Sequence, residues 1–120
     1  MKDLGVSGSP RKGKNTDTLL EKALVGAQEA GAKTEFVALR DNRIKPCDAC
    51  YACVKTGKCH IDDDMQSIFA KLLEADGIIL ATPIYFWSMS GQLKTFMDRA
   101  FAVMYPQLQL ANKVGGIVTV

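Results

Sequence analysis

The sequence predicts an α/β fold in which a parallel sheet is covered by helices. Short apolar runs alternate along the chain with amphipathic segments, as expected for buried strands joined by helices. Two polar loops follow predicted strands, and open α/β sheets bind ligands at the edge where such loops gather. The chain has 120 residues, of which 48% are hydrophobic. That is enough for one compact core, so we expect residues 1–120 to form a single domain.

The first half of the chain holds two predicted strands and one helix. An apolar run predicts the first strand over residues 2–7, and a polar loop follows at 8–15. Apolar residues at helical spacing predict a helix over 16–30, which Gly31 ends. The second strand is expected over 34–39.

The second half repeats the alternation after a cysteine-rich region. Asp62 to Asp64 precede a helix, where carboxylates complement the positive end of the helix dipole. Residues 77–81 predict the central buried strand, and a loop follows over 82–91. A third helix then carries an apolar stripe from Leu93 onward, and residues 113–120 predict a fourth strand.

Charge and hydropathy exclude two classes of partner. The net charge is only +2, and the basic residues are dispersed except for Arg11, Lys12 and Lys14, so no nucleic-acid surface is indicated. The longest apolar run is far too short to span a bilayer, and no secretory hydrophobic segment follows Met1. We therefore expect a cytoplasmic protein, and in that reducing compartment the cysteines are not expected to form disulfides.

The loop after the first strand has the composition of a phosphate site. Backbone N–H groups and the positive end of the following helix favour an anion, Ser9 and Thr16 offer hydroxyls, and Arg11 offers a bidentate fork. The loop is not a dinucleotide fingerprint, because position 10, where glycine is required, is proline. The alternative is an ordinary flexible turn.

An aromatic loop follows the predicted central strand. Residues 82–87 include Tyr85, Phe86 and Trp87, three successive aromatics that no predicted helix or strand explains. They are suited to flank a flat aromatic ligand. The alternative is that they cover the core or form a subunit interface. Two such loops at one sheet edge favour a phosphorylated ring ligand.

The four cysteines of the chain, Cys47, Cys50, Cys53 and Cys59, have the spacing C-x2-C-x2-C-x5-C. Thiolates at this spacing typically bind an iron–sulfur cluster or zinc. A cluster relays single electrons, whereas zinc ties down the segment without redox chemistry. Free thiols are the third alternative.

Other charged residues near this region have simpler interpretations. His60, next to Cys59, could tune or ligate a metal, but lone loop histidines are usually solvated, and we expect this one to be. Lys94, Asp98 and Arg99 lie on a helix opposite an apolar stripe, so we expect them to form surface or interface ion pairs.

Several motifs together resemble the iron–sulfur flavoprotein branch of the NAD(P)H-dependent FMN reductases. The motifs that carry the resemblance are Ser7-Gly8-Ser9-Pro10-Arg11, Gly13, Asn15-Thr16, the four cysteines, Ile61-Asp62-Asp63-Asp64-Met65, Ala75-Asp76-Gly77-Ile78-Ile79, Pro83-Ile84-Tyr85-Phe86 and Gly91-Gln92-Leu93-Lys94-Thr95-Phe96-Met97-Asp98-Arg99. They cover nearly the whole chain. The resemblance implies a flavodoxin-like fold, a doubly wound parallel sheet with strand order 2-1-3-4. It also implies dimers or tetramers.

The resemblance implies two cofactors and assigns residues to each. The FMN phosphate is expected in the first loop, and its ring beside the second, with the residues Ser9, Arg11, Gly13, Asn15, Thr16, Pro83, Ile84, Tyr85, Phe86 and Trp87. The four cysteines are expected to ligate a [4Fe-4S] cluster. One departure is that family members usually continue with a Gly-rich loop, a last helix and a fifth strand. We therefore expect a chain truncated at its C-terminus, with a cysteine-rich insertion at about 40–62.

The expected function is that of an FMN-dependent oxidoreductase that needs no catalytic acid or base. Electrons from NAD(P)H or ferredoxin would pass through FMN and the cluster to a small-molecule or protein acceptor. Two alternatives remain open. One is a cluster-free NAD(P)H-dependent flavin, quinone or nitro-compound reductase, and the other is a non-enzymatic module with structural zinc.

Overall fold

Four parallel strands form the central sheet of the computed structural model, which describes residues 1–120. The strands are β1 (Lys2–Ser7), β2 (Lys33–Ala38), β3 (Gly77–Thr82) and β4 (Val114–Thr119). Their order is β2-β1-β3-β4, and every neighbouring pair is parallel. The predicted fold class and strand order are therefore confirmed. No predicted strand boundary differs from the observed one by more than one residue.

Four α-helices join the strands: α1 (Asn15–Glu29), α2 (Ala52–Thr56), α3 (Met65–Glu74) and α4 (Gly91–Met104). A 3-10 turn at Leu39–Asp41 leads from β2 into the cysteine-rich region. The sequence pattern does not predict α2, because five residues are too few to show helical periodicity. No helix has the length and apolar character needed to cross a membrane.

The helices cover both faces of the sheet. Leu4 and Val6 of β1 are fully buried in the larger core, which they share with apolar residues of α3 and α4. On the opposite face, Leu20 and Leu24 of α1 pack around Ala81 of β3. Burial of these apolar side chains stabilises the fold by roughly 25 cal/mol for each Å² of apolar surface removed from water.

The register of the sheet brings two loops together. Ser7, the last residue of β1, is opposite Ala81 of β3. Because the two strands are adjacent and parallel, the loops that follow them begin at the same edge of the sheet. Both of the loops that the sequence predicts to bind a ligand are at this edge.

Candidate functional site

The two loops at this edge are joined by hydrogen bonds. The Gly8 N–H donates to the Ala81 carbonyl oxygen at 2.7 Å, and the Ser90 hydroxyl donates to the Gly8 carbonyl oxygen at 2.7 Å. A Cβ on Gly8 would lie 2.8 Å from the Leu93 Cβ and 2.9 Å from the Ser90 Oγ. Glycine is required here because the second loop and α4 approach its backbone so closely. The predicted meeting of the two loops is observed in the structure.

The first loop is organised around Asp17, in the first turn of α1. Its buried carboxylate accepts the Ser7 hydroxyl at 2.6 Å and the Gly13 N–H at 2.7 Å. Gly13 has φ of +64°, a conformation that favours glycine. Ser9 Oγ accepts the Arg11 N–H at 3.2 Å and tightens the turn before it. Asp17 therefore fixes the loop from inside.

Arg40 balances the charge of Asp17. Its Nη2 lies 2.9 Å from the Asp17 Oδ2, and its Nη1 donates to the Ser9 carbonyl oxygen at 3.3 Å. Burial raises the pKa of Asp17, but hydrogen bonds from Ser7, Arg40 and Gly13 lower it more, so the pKa is below its ordinary value. The carboxylate is therefore ionised at neutral pH and neutralised by Arg40.

The outer side of the same loop offers hydrogen-bond donors without protein partners. No side chain caps α1 at Lys14, and the N–H groups of Lys14, Asn15 and Thr16 donate to no backbone carbonyl. Unpaired N–H groups at a helix start, near the exposed cation Arg11, fit an anion such as phosphate. Thr16 is buried, whereas Asn15 is exposed.

The second loop turns sharply and presents its aromatic residues. Tyr85 and Ser88 exchange backbone hydrogen bonds at 2.9 and 3.0 Å, which closes a tight turn. Within it, Phe86 and Trp87 have φ of +47° and +61° and are 90% and 87% exposed. Left-handed φ at two bulky residues is strained and recurs at ligand sites.

The remaining residues of this loop are anchored at its base. Pro83 is buried, while Ile84 and Tyr85 are about half exposed. The Ile84 N–H donates to the Val120 carbonyl oxygen at 2.8 Å, which ties the loop to the end of β4. Of the residues predicted to lie beside a ring, Tyr85, Phe86 and Trp87 are on the exposed turn, whereas Pro83 is buried at its base and Ile84 lies between them.

All four cysteines line a single cavity of about 580 Å³ between the cysteine-rich region and α4. Tyr51 and Ile61 contribute to the wall, and α4 contributes Met97, Phe101 and Met104. Cys47 and Cys50 are exposed, whereas Cys53 and Cys59 are half-buried. The predicted ligands are therefore brought to one place.

The ligand atoms in this cavity do not form a closed four-sulfur set. In the only group of three whose ligand atoms all lie within 4.8 Å of one another, the members are Asp48, Cys50 and His60. His60 Nε2 lies 2.8 Å from the Asp48 Oδ2. This histidine is exposed, as expected, but it also has a carboxylate partner. The Ala52 N–H lowers the pKa of Cys50, but Asp48, desolvation and Cys53 together raise it more, so that pKa is raised.

Arg99 and Asp63 form a buried ion pair behind the cavity. Nη1 of Arg99 lies 2.6 Å from Oδ2 of Asp63, and Nη2 lies 3.0 Å from Oδ1. The expectation of surface or interface pairs is wrong for Arg99, whose side chain is 0% exposed, and right for the exposed pair Lys94 and Asp98. Asp63 does not simply cap α3, because its carboxylate also binds Arg99 and the Lys45 N–H.

Sequence reasoning missed Asp17, Arg40 and Ser90 as residues that shape the site. Ser90 was detectable, since serine before an apolar helical stripe is a typical N-cap and its Oγ accepts the Leu93 N–H at 3.2 Å. Asp17 and Arg40 are 23 positions apart, and no short motif predicts their contact.

A comparison with protein families matches residues 1–120 to the NADPH-dependent FMN reductases. The chain belongs to this family. An iron–sulfur flavoprotein of Methanocaldococcus jannaschii is 48% identical over 120 residues, which are the whole chain and 62% of that relative. An iron–sulfur flavoprotein of Methanosarcina thermophila is 42% identical over the whole chain and 63% of its own length. These relatives confirm the resemblance to the iron–sulfur flavoprotein branch, and the chain spans about three-fifths of their length.

Solved structures agree with this placement of the fold. A flavone reductase superposes with a TM-score of 0.77 at 27% identity, over 99% of this chain and 43% of that protein. The Trp repressor binding protein of Bacillus subtilis superposes with a TM-score of 0.65 at 30% identity, over 98% of this chain and 65% of its own.

Proposed function

We propose that the protein is an FMN-dependent oxidoreductase of the electron-transfer type. It takes electrons from NAD(P)H or ferredoxin and passes them through FMN and a [4Fe-4S] cluster to a small-molecule or protein acceptor. The observation that carries the proposal is the Ser90–Gly8 hydrogen bond of 2.7 Å. It joins a cationic loop with free N–H donors to a turn with exposed aromatic rings, as a phosphorylated planar ligand requires.

The phosphate end of FMN is assigned to the first loop. The N–H groups of Lys14, Asn15 and Thr16 have no backbone acceptor, and with the positive end of the α1 dipole they favour binding of an anion. Arg11 supplies a positive side chain. Ser9 and Gly13 shape the loop through their own hydrogen bonds. The buried Asp17 does not repel the phosphate strongly, because Arg40 neutralises it.

The isoalloxazine end is assigned to the second loop. Pro83 and Ile84 form the base of this loop, and Tyr85, Phe86 and Trp87 supply aromatic surface. The rings of Phe86 and Trp87 are already 4.9 Å apart at their centroids. Such surface holds a planar ring by stacking and shields one of its faces from water.

The chemistry belongs to the cofactors: bound FMN accepts a hydride and releases electrons singly, and a bound [4Fe-4S] cluster exchanges single electrons. The residues of the chain hold, orient and shield these groups. The aromatic loop, residues 82–91, contains no Asp, Glu, His, Lys or Cys, and hydride transfer to a flavin requires none of them. The proposal therefore assigns no catalytic acid or base.

The names of the relatives support a cluster over a single zinc ion, because several of them are iron–sulfur flavoproteins. In this chain all four cysteines line one cavity, so the four thiols are available to one metal centre. We assign Cys47, Cys50, Cys53 and Cys59 to the cluster.

The proposal includes a cytoplasmic homo-oligomer, a dimer or tetramer. The exposed rings of Phe86 and Trp87 are apolar surface that an assembly would cover. Size-exclusion chromatography with light scattering measures the state directly, and a monomer at all concentrations contradicts this part.

The test is anaerobic purification followed by cofactor analysis. We expect one FMN per chain, with iron and acid-labile sulfide near four each. Cys50→Ser is expected to abolish electron transfer to a one-electron acceptor. The variant is expected still to oxidise NAD(P)H when free flavin or quinone is the acceptor. The matched control, Lys58→Ala, changes an exposed residue of the same segment and leaves both activities intact. Absence of flavin overturns the proposal, and zinc without sulfide supports the structural alternative.

A further inference from the structure

We propose that Arg99 is the positioning residue of the metal-binding thiols. Its buried guanidinium holds both ends of the cysteine-rich segment, and its Nε donates a hydrogen bond to the Cys59 sulfur when the thiols bind a metal centre. This inference rests on the proposed function, since it concerns the same four cysteines.

Arg99 is placed where one rigid element meets both ends of the segment. It lies in the middle of α4, and its side chain is 0% exposed. Nη1 donates to the Lys45 carbonyl oxygen at 2.8 Å, and Nη2 donates to the Ile61 carbonyl oxygen at 3.4 Å. Lys45 is two residues before Cys47, and Ile61 is two residues after Cys59. One side chain therefore fixes where the ligand segment starts and ends.

Asp63 holds the same segment together with Arg99, and it binds the two Nη atoms of Arg99 but not the Nε. Its Oδ2 accepts the Lys45 N–H at 2.8 Å, and its Oδ1 accepts the Met65 N–H at 3.1 Å. Both carboxylate oxygens also bind the Nη atoms of Arg99. Burial raises the pKa of Asp63, but these hydrogen bonds lower it more. The two Nη atoms of Arg99 are thus already hydrogen-bonded to Lys45, Ile61 and Asp63.

The Nε of Arg99 remains buried and without a hydrogen-bond partner. A buried N–H without an acceptor is unfavourable, and native proteins rarely leave one. Arg99 and Cys59 line the same cavity. Burial lowers the pKa of Arg99, but Asp63 and the neighbouring Cys59 raise it more. A cysteine sulfur that carries negative charge is a strong acceptor for this donor.

A cation and a hydrogen bond beside a ligand sulfur change the metal centre in a defined way. They stabilise the more negative, reduced state, so they raise the reduction potential of a cluster. They also hold the sulfur in place, which slows loss of the metal. A side chain that serves folding alone would leave the potential of the loaded centre unchanged.

The experiment compares wild type with R99K, which keeps the charge but loses the planar fork. Q92A, an exposed change on the same helix, is the matched control. We expect R99K to keep its FMN, to release iron to a chelator at least fivefold faster, and to have a lower cluster potential in a spectroscopic redox titration. Wild-type release rate and potential in R99K overturn the proposal.

A second arm does not depend on the cluster. The metal-free protein is titrated with Co²⁺, and thiolate-to-cobalt absorption reports binding. We expect R99K to weaken Co²⁺ binding at least fivefold, and equal affinity overturns the proposal. Should R99K not fold, the same measurements are made on R99M/D63M. This double variant removes the buried ion pair as a unit, a change that proteins often tolerate. Wild type without iron and sulfide contradicts the cluster of the proposed function, and the Co²⁺ result still decides the role of Arg99.

Discussion

Ser90 donates its hydroxyl hydrogen to the carbonyl oxygen of Gly8 across 2.7 Å, although the two residues are 82 positions apart. The same oxygen of Ser90 accepts the Leu93 N–H and caps α4. Ser90→Ala removes both bonds at a buried position. We expect a loss of about 1–2 kcal/mol in the free energy of unfolding, and several-fold weaker FMN binding because the loops separate. Urea unfolding and an FMN titration measure the two effects.

The control for Ser90→Ala is Ser88→Ala in the same loop. Ser88 is exposed, and only its backbone is hydrogen-bonded, to Tyr85. Its substitution is expected to change the free energy of unfolding by less than about 0.5 kcal/mol. If both variants lose the same stability and FMN affinity, the Gly8 contact does not hold the loops together.

Two glycines give a pair of predictions with opposite sign. A Cβ on Gly8 meets Leu93 at 2.8 Å and Ser90 at 2.9 Å, so Gly8→Ala is expected to cost about 1–3 kcal/mol of stability. Gly26 lies within α1, and a Cβ there meets nothing within 4 Å. Gly26→Ala is therefore expected to stabilise the protein by about 0.5–1 kcal/mol. Thermal unfolding of both variants measures the difference, and a stabilising Gly8→Ala contradicts the close approach.

The sequence correctly predicts the parts of the fold that produce a local hydropathy pattern, such as an apolar run or apolar residues at helical spacing. The strand β3 is a continuous apolar run, and the stripe of α4 repeats at helical spacing, so both elements are visible without tertiary information. The two loops are found at one edge because parallel strands end together. Local pattern plus the topology of parallel sheets accounts for this much.

The parts that the sequence does not predict depend on contacts between distant residues. The sequence predicts a surface or interface ion pair for Arg99, because it is charged and is placed opposite the apolar stripe of its helix. In the structure it is buried and pairs with Asp63, 36 positions away. Arg40 lies just after the predicted second strand, where the sequence assigns it no contact, yet it binds Asp17. Buried ion pairs of this kind are set by tertiary packing, which hydropathy does not describe.

Trp87 gives a direct optical test of the flavin assignment, since it is the only tryptophan in the chain. Its side chain is 87% exposed, so added FMN is expected to stack on it and quench its fluorescence. Trp87→Ala is expected to weaken FMN binding about tenfold, which matches one stacking contact of about 1–1.5 kcal/mol. Its unfolding midpoint is expected to stay near that of wild type.

The control for Trp87 is Val25→Ala, an exposed apolar residue on α1. This change is expected to leave both FMN affinity and Trp87 quenching unchanged. Titration without quenching in wild type, at FMN concentrations that give full binding by ultrafiltration, contradicts the position of the ring beside Trp87.

Asp17 predicts how stability responds to acid. Burial raises its pKa, but Ser7, Arg40 and Gly13 lower it more, to below the ordinary 3.8. A carboxyl with a depressed folded-state pKa stabilises the protein above its ordinary pKa, and this contribution is lost as pH falls through the folded-state value. Asp17→Asn leaves the partly buried Arg40 without its counter-ion and weakens the buried hydrogen bonds of Asp17, so we expect a loss of about 1.5–3 kcal/mol at pH 7. The stability difference from wild type should shrink between pH 4 and pH 2.

Denaturant unfolding of wild type and Asp17→Asn at pH 7, 4, 3 and 2 measures this difference. Asp63 also has a lowered pKa, for the same kind of reason, but it is present in both proteins, so its contribution cancels in the comparison. Asp41→Asn, an exposed neighbour of Arg40, is the matched control and is expected to show a small difference at every pH. A difference for Asp17→Asn that stays constant down to pH 2 would mean that the carboxylate adds no charge-dependent stability. In that case the loop is held by shape alone, and the neutralising role of Arg40 beneath the phosphate-type loop is wrong.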